Sequence, residues 1–342
     1  RLSGVDVTGV TAEIPQLSHD QVLYIDAILP PTVPSYIGSL MNASPLSDSV
    51  GEALEAIVID GEVKGDFQLT LPLDNVDDAL ATGTIVFDGN RLNLQSPNML
   101  MTDVNGELSF SNEVLSTNGL NLKWRGLPLA LSVTAEQRSR YYQTLIKLHA
   151  NWAESLWHQQ LPATMRQYAE GELTWQGDLS LNFYQGNEFS YSFDLLSDLN
   201  TTKLNLPAPY GKRQDDSAPL SVSVSGQEDK STITAVLGEQ LNFYGVLDHD
   251  LVSFPQAHLV LGREQMLMPT SGFYITTQLE EVTFEPWFTF VDDLLTSTGA
   301  ENTSQGEPLF PAPERISGNI KKLSVLGQDF TDVSYSVVDE QA

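Results

Sequence analysis

Along most of this chain every second residue is apolar. Gly65-Asp66-Phe67-Gln68-Leu69-Thr70-Leu71 alternates cleanly, as do Gly106 to Phe110, Leu120 to Trp124 and Leu129 to Val133. The pattern returns at Leu173 to Trp175, Leu179 to Phe183, Tyr191 to Phe193, Leu220 to Val224, Leu323 to Val325 and Val333 to Val337. A period of two sends neighbouring side chains to opposite faces of a strand, so these runs predict strands with one buried and one solvated face. Antiparallel sheets read this way; parallel sheets covered on both sides do not. Turn-forming clusters at Asp88-Gly89-Asn90, Asn105-Gly106, Asn118-Gly119, Gly226 and Gly238 predict the hairpins of a meander. The triplet Gly-Glu-apolar recurs at Gly61-Glu62-Val63, Gly106-Glu107-Leu108 and Gly171-Glu172-Leu173, each time placed to open a strand. Its unequal spacing makes it an echo rather than a strict repeat.

Helical signals are few. They fall over 34–41, over 47–57 behind a capping Ser47, over 151–160, after Pro162 toward Tyr168, and over 286–295. In the last of these Trp287, Phe288, Val291, Leu294 and Leu295 share a face. That helix carries Glu285, Asp292 and Asp293 and no Lys or Arg, which suits packing on the sheet or plugging its mouth better than lying on a membrane. Residues 211–219 and 297–315 read as loops, the second long enough to be either functional or mobile. The chain is expected to be one continuous segment, 1–342, with possible sub-units 1–212 and 213–342.

About 18 strands at roughly 4.8 Å each would make a ribbon about 85 Å long. Laid flat, such a sheet would expose a whole apolar face, which proteins in water avoid. It must curl, pair with a second sheet, or hold something apolar. The expected class is therefore mainly β: a long, curled, largely antiparallel sheet with a few short helices.

Charge narrows the partners. With 45 acidic against 17 basic residues the net charge is −28, which repels nucleic-acid backbones and disfavours docking on anionic lipid headgroups. Neither effect bears on uncharged acyl chains. There are no cysteines, so disulfides and thiol chemistry are out. No apolar run reaches the roughly 20 residues of a membrane span. The chain starts at Arg1 without a methionine and stops in mid-pattern at Ala342, and is expected to be a piece of a longer protein.

Catalytic signals are weak. His19, His149, His158, His249 and His258 form no zinc-helix spacing. His249, between Asp248 and Asp250, reads as a polar turn rather than an oriented base. The pairs Asp215-Asp216, Glu280-Glu281 and Asp292-Asp293 read as solvated charges, and a glycosidase pair would need a separation that sequence does not give. Calcium-loop, Gly-x-Ser-x-Gly and phosphate-loop motifs are missing. The chain is expected to be no enzyme and to need no cofactor or metal.

Several stretches carry a resemblance. They are Ser44-Pro45-Leu46 with Val50-Gly51, the run from Ile59 through Gly61-Glu62-Val63 to Leu73, the run Val104 to Phe110, and Leu206-Pro207-Ala208-Pro209-Tyr210-Gly211-Lys212. In these the chain resembles the bacterial AsmA-like family, with relatives such as TamB and AsmA. The resemblance implies a protein of the Gram-negative periplasm, anchored in the inner membrane by a helix outside this chain. It implies a groove-forming, taco-like sheet that carries phospholipids between the two membranes, and no catalytic residue. On this reading Phe67, Leu69, Leu71, Leu108, Phe110, Leu122, Trp124, Leu129, Leu131, Leu179 and Leu181 line the groove and meet acyl chains. Two alternatives stay open: a structural or adhesive β-sandwich in which the same residues form a closed core, and a carbohydrate-active enzyme on a β scaffold.

Overall fold

The computed structural model describes residues 9–16, 21–35, 57–75, 78–94, 99–112, 114–184, 188–263, 266, 268–298 and 310–338. The helices expected over 34–41 and 47–57 fall almost wholly outside these residues. The described chain is mainly β, mostly antiparallel, with few helices. It forms two compact units, Arg1–Leu148 with Asn182–Gly186, and His149–Leu181 with Asn187–Ala342. Position 212/213 falls inside the second.

In unit 1 the strands are β1 (Thr11–Glu13), β2 (Val22–Thr32), β3 (Ile57–Asp60), β4 (Val63–Pro72), β5 (Leu80–Leu94), β6 (Met99–Ser111), β7 (Val114–Trp124), β8 (Leu127–Gln137) and most of β9 (Tyr141–Trp152). Antiparallel neighbours run β1–β2–β4–β5–β6–β7–β8, and β3 pairs with the far half of β5. Three of the expected hairpin turns are not turns. Asp88-Gly89-Asn90, Asn105-Gly106 and Asn118-Gly119 lie inside β5, β6 and β7, where the register slips. Asn-Gly supplies the unusual backbone that a β-bulge needs as readily as a hairpin does, and a bulge bends a long strand and tightens its twist.

The Gly-Glu triplet marks strand breaks. Gly61, at φ +96°, separates β3 from β4, and Gly171, also at φ +96°, separates β10 (Ala169–Gly171) from β11 (Leu173–Tyr184). That backbone region is open chiefly to glycine. At each break polar side chains take over from the ladder. Asn90 Nδ2 donates to the carbonyls of Asp60 and Glu62, and the hydroxyls of Thr201 and Thr202 donate to that of Glu172. Gly106, the third member, lies inside β6 and opens no strand.

Unit 2 begins with the helical turn α1 (Glu154–Trp157) and two 3-10 turns, His158–Gln160 and Ala163–Tyr168. After β10 and β11 come β12 (Phe189–Ser197), β13 (Thr202–Leu204), β14 (Leu220–Gly226), β15 (Lys230–Leu237), β16 (Leu241–Asp248), β17 (Ser253–Gly262), β18 (Gly272–Thr283), the helix α2 (Phe284–Thr298), β19 (Pro313–Val325) and β20 (Gln328–Val338). The 297–315 loop is thus trimmed at both ends by α2 and β19, and 299–309 lie outside the described residues.

Neighbours run β12–β14–β15–β16–β17–β18–β19–β20. The pairs β17–β18 and β18–β19 are parallel, an exception that the meander expectation did not include. Parallel neighbours need crossovers, supplied here by 263–271 and by α2. They also bury a strand on both faces: in β17, Ala257, His258, Val260 and Leu261 are all buried. His258 keeps its polarity satisfied through Thr276 Oγ1 at 3.0 Å.

Candidate apolar binding face

The pairing registers assemble the apolar residues of unit 1 on one face. Ala27, Phe67, Gly83, Phe110, Leu115 and Ala135 lie abreast across six strands. A second row runs Phe87, Gly106, Leu120, Leu131, and a third Ile59, Leu92, Met101, Trp124, Leu127. The bulges keep these rows in phase, since each absorbs one residue without turning the strand over. Of the expected lining residues, Phe67, Leu69, Leu71, Leu108, Phe110, Leu122, Trp124, Leu129 and Leu131 all fall on this face. Phe110, Leu122 and Leu129 are buried, and the other six are partly exposed. The rows carry no charge.

Gly83 has a steric role in this face. A Cβ there would meet the Phe110 ring at 2.8 Å and the Asp66 carbonyl oxygen at 2.3 Å. The missing side chain lets Phe67 and Phe110 lean together from the two flanking strands, ring centres 6.3 Å apart. Removing bulk from one side lets the sheet curl toward it.

Unit 2 builds the same kind of face, and of its main row only Val222 and Val337 lie in the cleanly alternating runs. Leu195, Val222, Ala235, Phe243, Leu259, Ile275, Ile316 and Val337 stand abreast across eight strands. The reverse face carries Ser223, Thr234, Asn242, Gln256, Thr276 and Ser336. The two remaining expected residues, Leu179 and Leu181, sit on β11 in step with Trp175. That ring packs edge-on against Trp152 at 5.3 Å and Phe193 at 6.3 Å.

Part of this second face is covered by the chain itself. The two described ends of the crossover from β18 to β19 pack on it. At one end Trp287 of α2 packs with Leu261, Leu279, Ile320 and Tyr210. At the other, Phe310 packs with Phe254, Ala257 and Phe273. The Leu206-to-Lys212 motif is the seat of α2. Reciprocal backbone hydrogen bonds of 2.9 Å between Leu204 and Lys212 close it into a loop. Tyr210 then reaches the core, its hydroxyl donating to the Gln240 carbonyl at 2.9 Å, and burial pushes its pKa up to about 12. Trp287 Nε1 donates to the Ala208 carbonyl at 3.0 Å.

The inward stripe of α2 differs from the expected one. Trp287 and Phe290 face in, the latter edge-on to Tyr168 at 4.9 Å, while Phe288 and Val291 are exposed with Phe284. The helix has two apolar stripes, and spacing alone does not choose between them.

The histidine between two aspartates sits in a turn. His249 Nδ1 donates to the Glu228 carbonyl at 2.7 Å, which leaves Nε2 to accept from Ser231 Oγ at 2.6 Å; Tyr191 OH bonds Ser231 in turn. Together with a backbone bond from His249 to the Asp229 carbonyl, this staples one hairpin end to the next. Among the described residues no group of three or more His, Asp or Glu is placed to hold a metal, and no helix is long and apolar enough to cross a membrane.

Comparison with known proteins bears on this face. No solved structure matches the chain. A relative, the intermembrane phospholipid transporter YhdP of Escherichia coli (strain K12), is 26% identical over 242 residues, which is 71% of this chain and 19% of the relative. The chain thus corresponds to about a fifth of that protein. The family model described as YhdP protein matches residues 1–341, so the chain belongs to the YhdP family.

Proposed function

We propose that this chain is a section of a phospholipid conduit between the inner and outer membranes of a Gram-negative bacterium. It holds acyl chains along the apolar faces of its sheets, in the periplasm, as part of a protein anchored in the inner membrane. The observation that carries this reading is the set of transverse rows. An acyl chain has no hydrogen bonds to give and needs only uncharged, continuous lining. The rows offer that from strand to strand, while the reverse faces carry the polar residues. The relative's name points the same way. No residue acts alone in this mechanism, and its unit is the repeated row. The 11 residues expected from sequence are proposed as contacts, with Val222, Ala235, Phe243 and Ile275 added from unit 2.

The β-sandwich alternative requires two large sheets face to face. Among the described residues the one other sheet is the two-stranded β10–β13.

Native mass spectrometry of protein purified without detergent is expected to show bound phospholipid. Photo-crosslinkers at Leu69 and Leu131 are expected to capture lipid in cells. Protein that is lipid-free by both measures would sink the proposal.

A further inference from the structure

One spot on the unit 2 face combines the smallest floor with the densest ring of aromatics. Gly245 and Ala257 stand side by side on β16 and β17 and form the floor. Ala257 is 0% exposed. Phe243, Phe254 and Phe273 wall the spot. Gly245 has no room for a side chain, because a Cβ would meet Phe254 at 2.7 Å and Phe243 at 2.8 Å. Into this depression the crossover inserts one ring. Phe310 stacks on Phe254 at 4.9 Å and 7° and meets Phe273 at 5.6 Å and Phe243 at 6.0 Å.

Phe310 itself is held by ring packing, three residues before Pro313 opens β19 opposite Phe273. Pro311 and Pro313 have no N–H to bond with. Among the described residues no turn or loop backbone hydrogen bond fastens 310–312. The other end of the crossover is held quite differently, with α2 bonded through Trp287 to Ala208 and through Tyr168 to Asp293. An apolar depression filled by one ring that makes no hydrogen bond of its own suits a slender apolar ligand equally well.

We propose that this depression is an acyl-chain site which the protein keeps occupied with its own Phe310, so that a lipid chain enters only as Phe310 leaves. The proposal rests on the conduit reading and deepens it by naming one site and its competitor. Self-occupation reduces apparent affinity in proportion to the time the site is open. Phe310 then acts as a brake on the unit 2 face.

The test uses the full 342-residue chain and cis-parinaric acid, a polyene fatty acid that fluoresces when its chain enters an apolar site. Phe310→Ala is expected to bind it about tenfold more tightly than the unaltered chain, because the competitor is gone. Phe310→Trp is expected to bind it more weakly. Equal affinity across all three overturns the proposal and leaves the conduit standing. No binding by any of them overturns both. Since Phe310→Ala can also loosen the core, a second measurement keeps the native packing. A benzophenone amino acid at 310 is expected to crosslink to Phe254 or Phe273 in the empty protein and to lose that link when the fatty acid is saturating. A link indifferent to the fatty acid overturns the proposal independently.

Discussion

The two apolar faces are built from the same alternation and finished differently. Unit 1 is antiparallel throughout its paired strands, and its rows are bordered by their own neighbours, with Phe67 and Phe110 leaning over Gly83. Unit 2 turns parallel at β17–β19, and the described ends of the crossover that parallel pairing demands pack on the apolar rows. A hairpin returns at the sheet edge, whereas a crossover must pass over one face, and here its described ends, α2 and Phe310, pack on the apolar one.

The largest effect expected from breaking this difference is at the covered end of unit 2. Phe254 is 6% exposed and packs against both Phe243 and Phe310. Phe254→Ala should cost about 3–5 kcal/mol, because it leaves a cavity against both rings at once. Phe67→Ala, at a partly exposed position of unit 1, should cost clearly less. Urea unfolding of both variants checks the ranking, and equal losses would mean that the crossover adds no burial.

Next comes the strand break in unit 1. Asn90 is 3% exposed, donates to two carbonyls and accepts from the Asp88 N–H at 2.8 Å. Asn90→Ala deletes all three hydrogen bonds of a buried side chain, at about 1–3 kcal/mol. Hydrogen exchange should show the loss confined to β3, β4 and β5. A uniform loss across the chain would mean that the break is no local joint.

These two sites also show what sequence can and cannot carry. Alternation placed Phe67, Leu108, Leu122 and Leu131 on strands correctly, because side-chain direction depends only on parity. The bulges at Asn105 and Asn118 look like hairpins in sequence, because the backbone conformation that Asn-Gly favours is common to both. What separates a bulge from a turn is whether the chain has a partner on each side, which is a long-range fact. Phe310 has no periodic trace, since Leu309-Phe310 is an isolated apolar pair among prolines. The unit 2 rows were legible in Leu220 to Val224 but faded in β17, where Leu259-Val260-Leu261 is apolar on both faces. That continuous run was the available sign of parallel pairing.

A smaller effect is expected at the seat of α2. Trp287→Phe keeps a ring against Tyr210 but deletes the hydrogen bond to the Ala208 carbonyl, at about 1 kcal/mol. Faster amide exchange should appear in α2 and leave unit 1 unchanged. If α2 exchanges as before, the helix is held by packing alone and the seat is less specific than the geometry implies.

The smallest effect tests the other tether of α2, and its sign follows from one phenol. Tyr168 OH donates to Asp293 Oδ2 at 2.6 Å, and loss of water, then that bond and the nearby carboxylate charge, push its pKa from 10.0 up to about 12. A raised pKa means that the folded state holds the proton more tightly than the unfolded one. The tether's contribution is therefore complete below pH 10 and is lost as pH climbs through about 12, where a tyrosinate would face an aspartate. Tyr168→Phe should remove about 1 kcal/mol at neutral pH and should flatten the alkaline loss. Near-UV circular dichroism of both proteins, titrated from neutrality through pH 12, compares them directly. An alkaline transition that survives in Tyr168→Phe would have to arise elsewhere, the nearest source being Tyr210 in the seat of α2, whose pKa burial also pushes up to about 12.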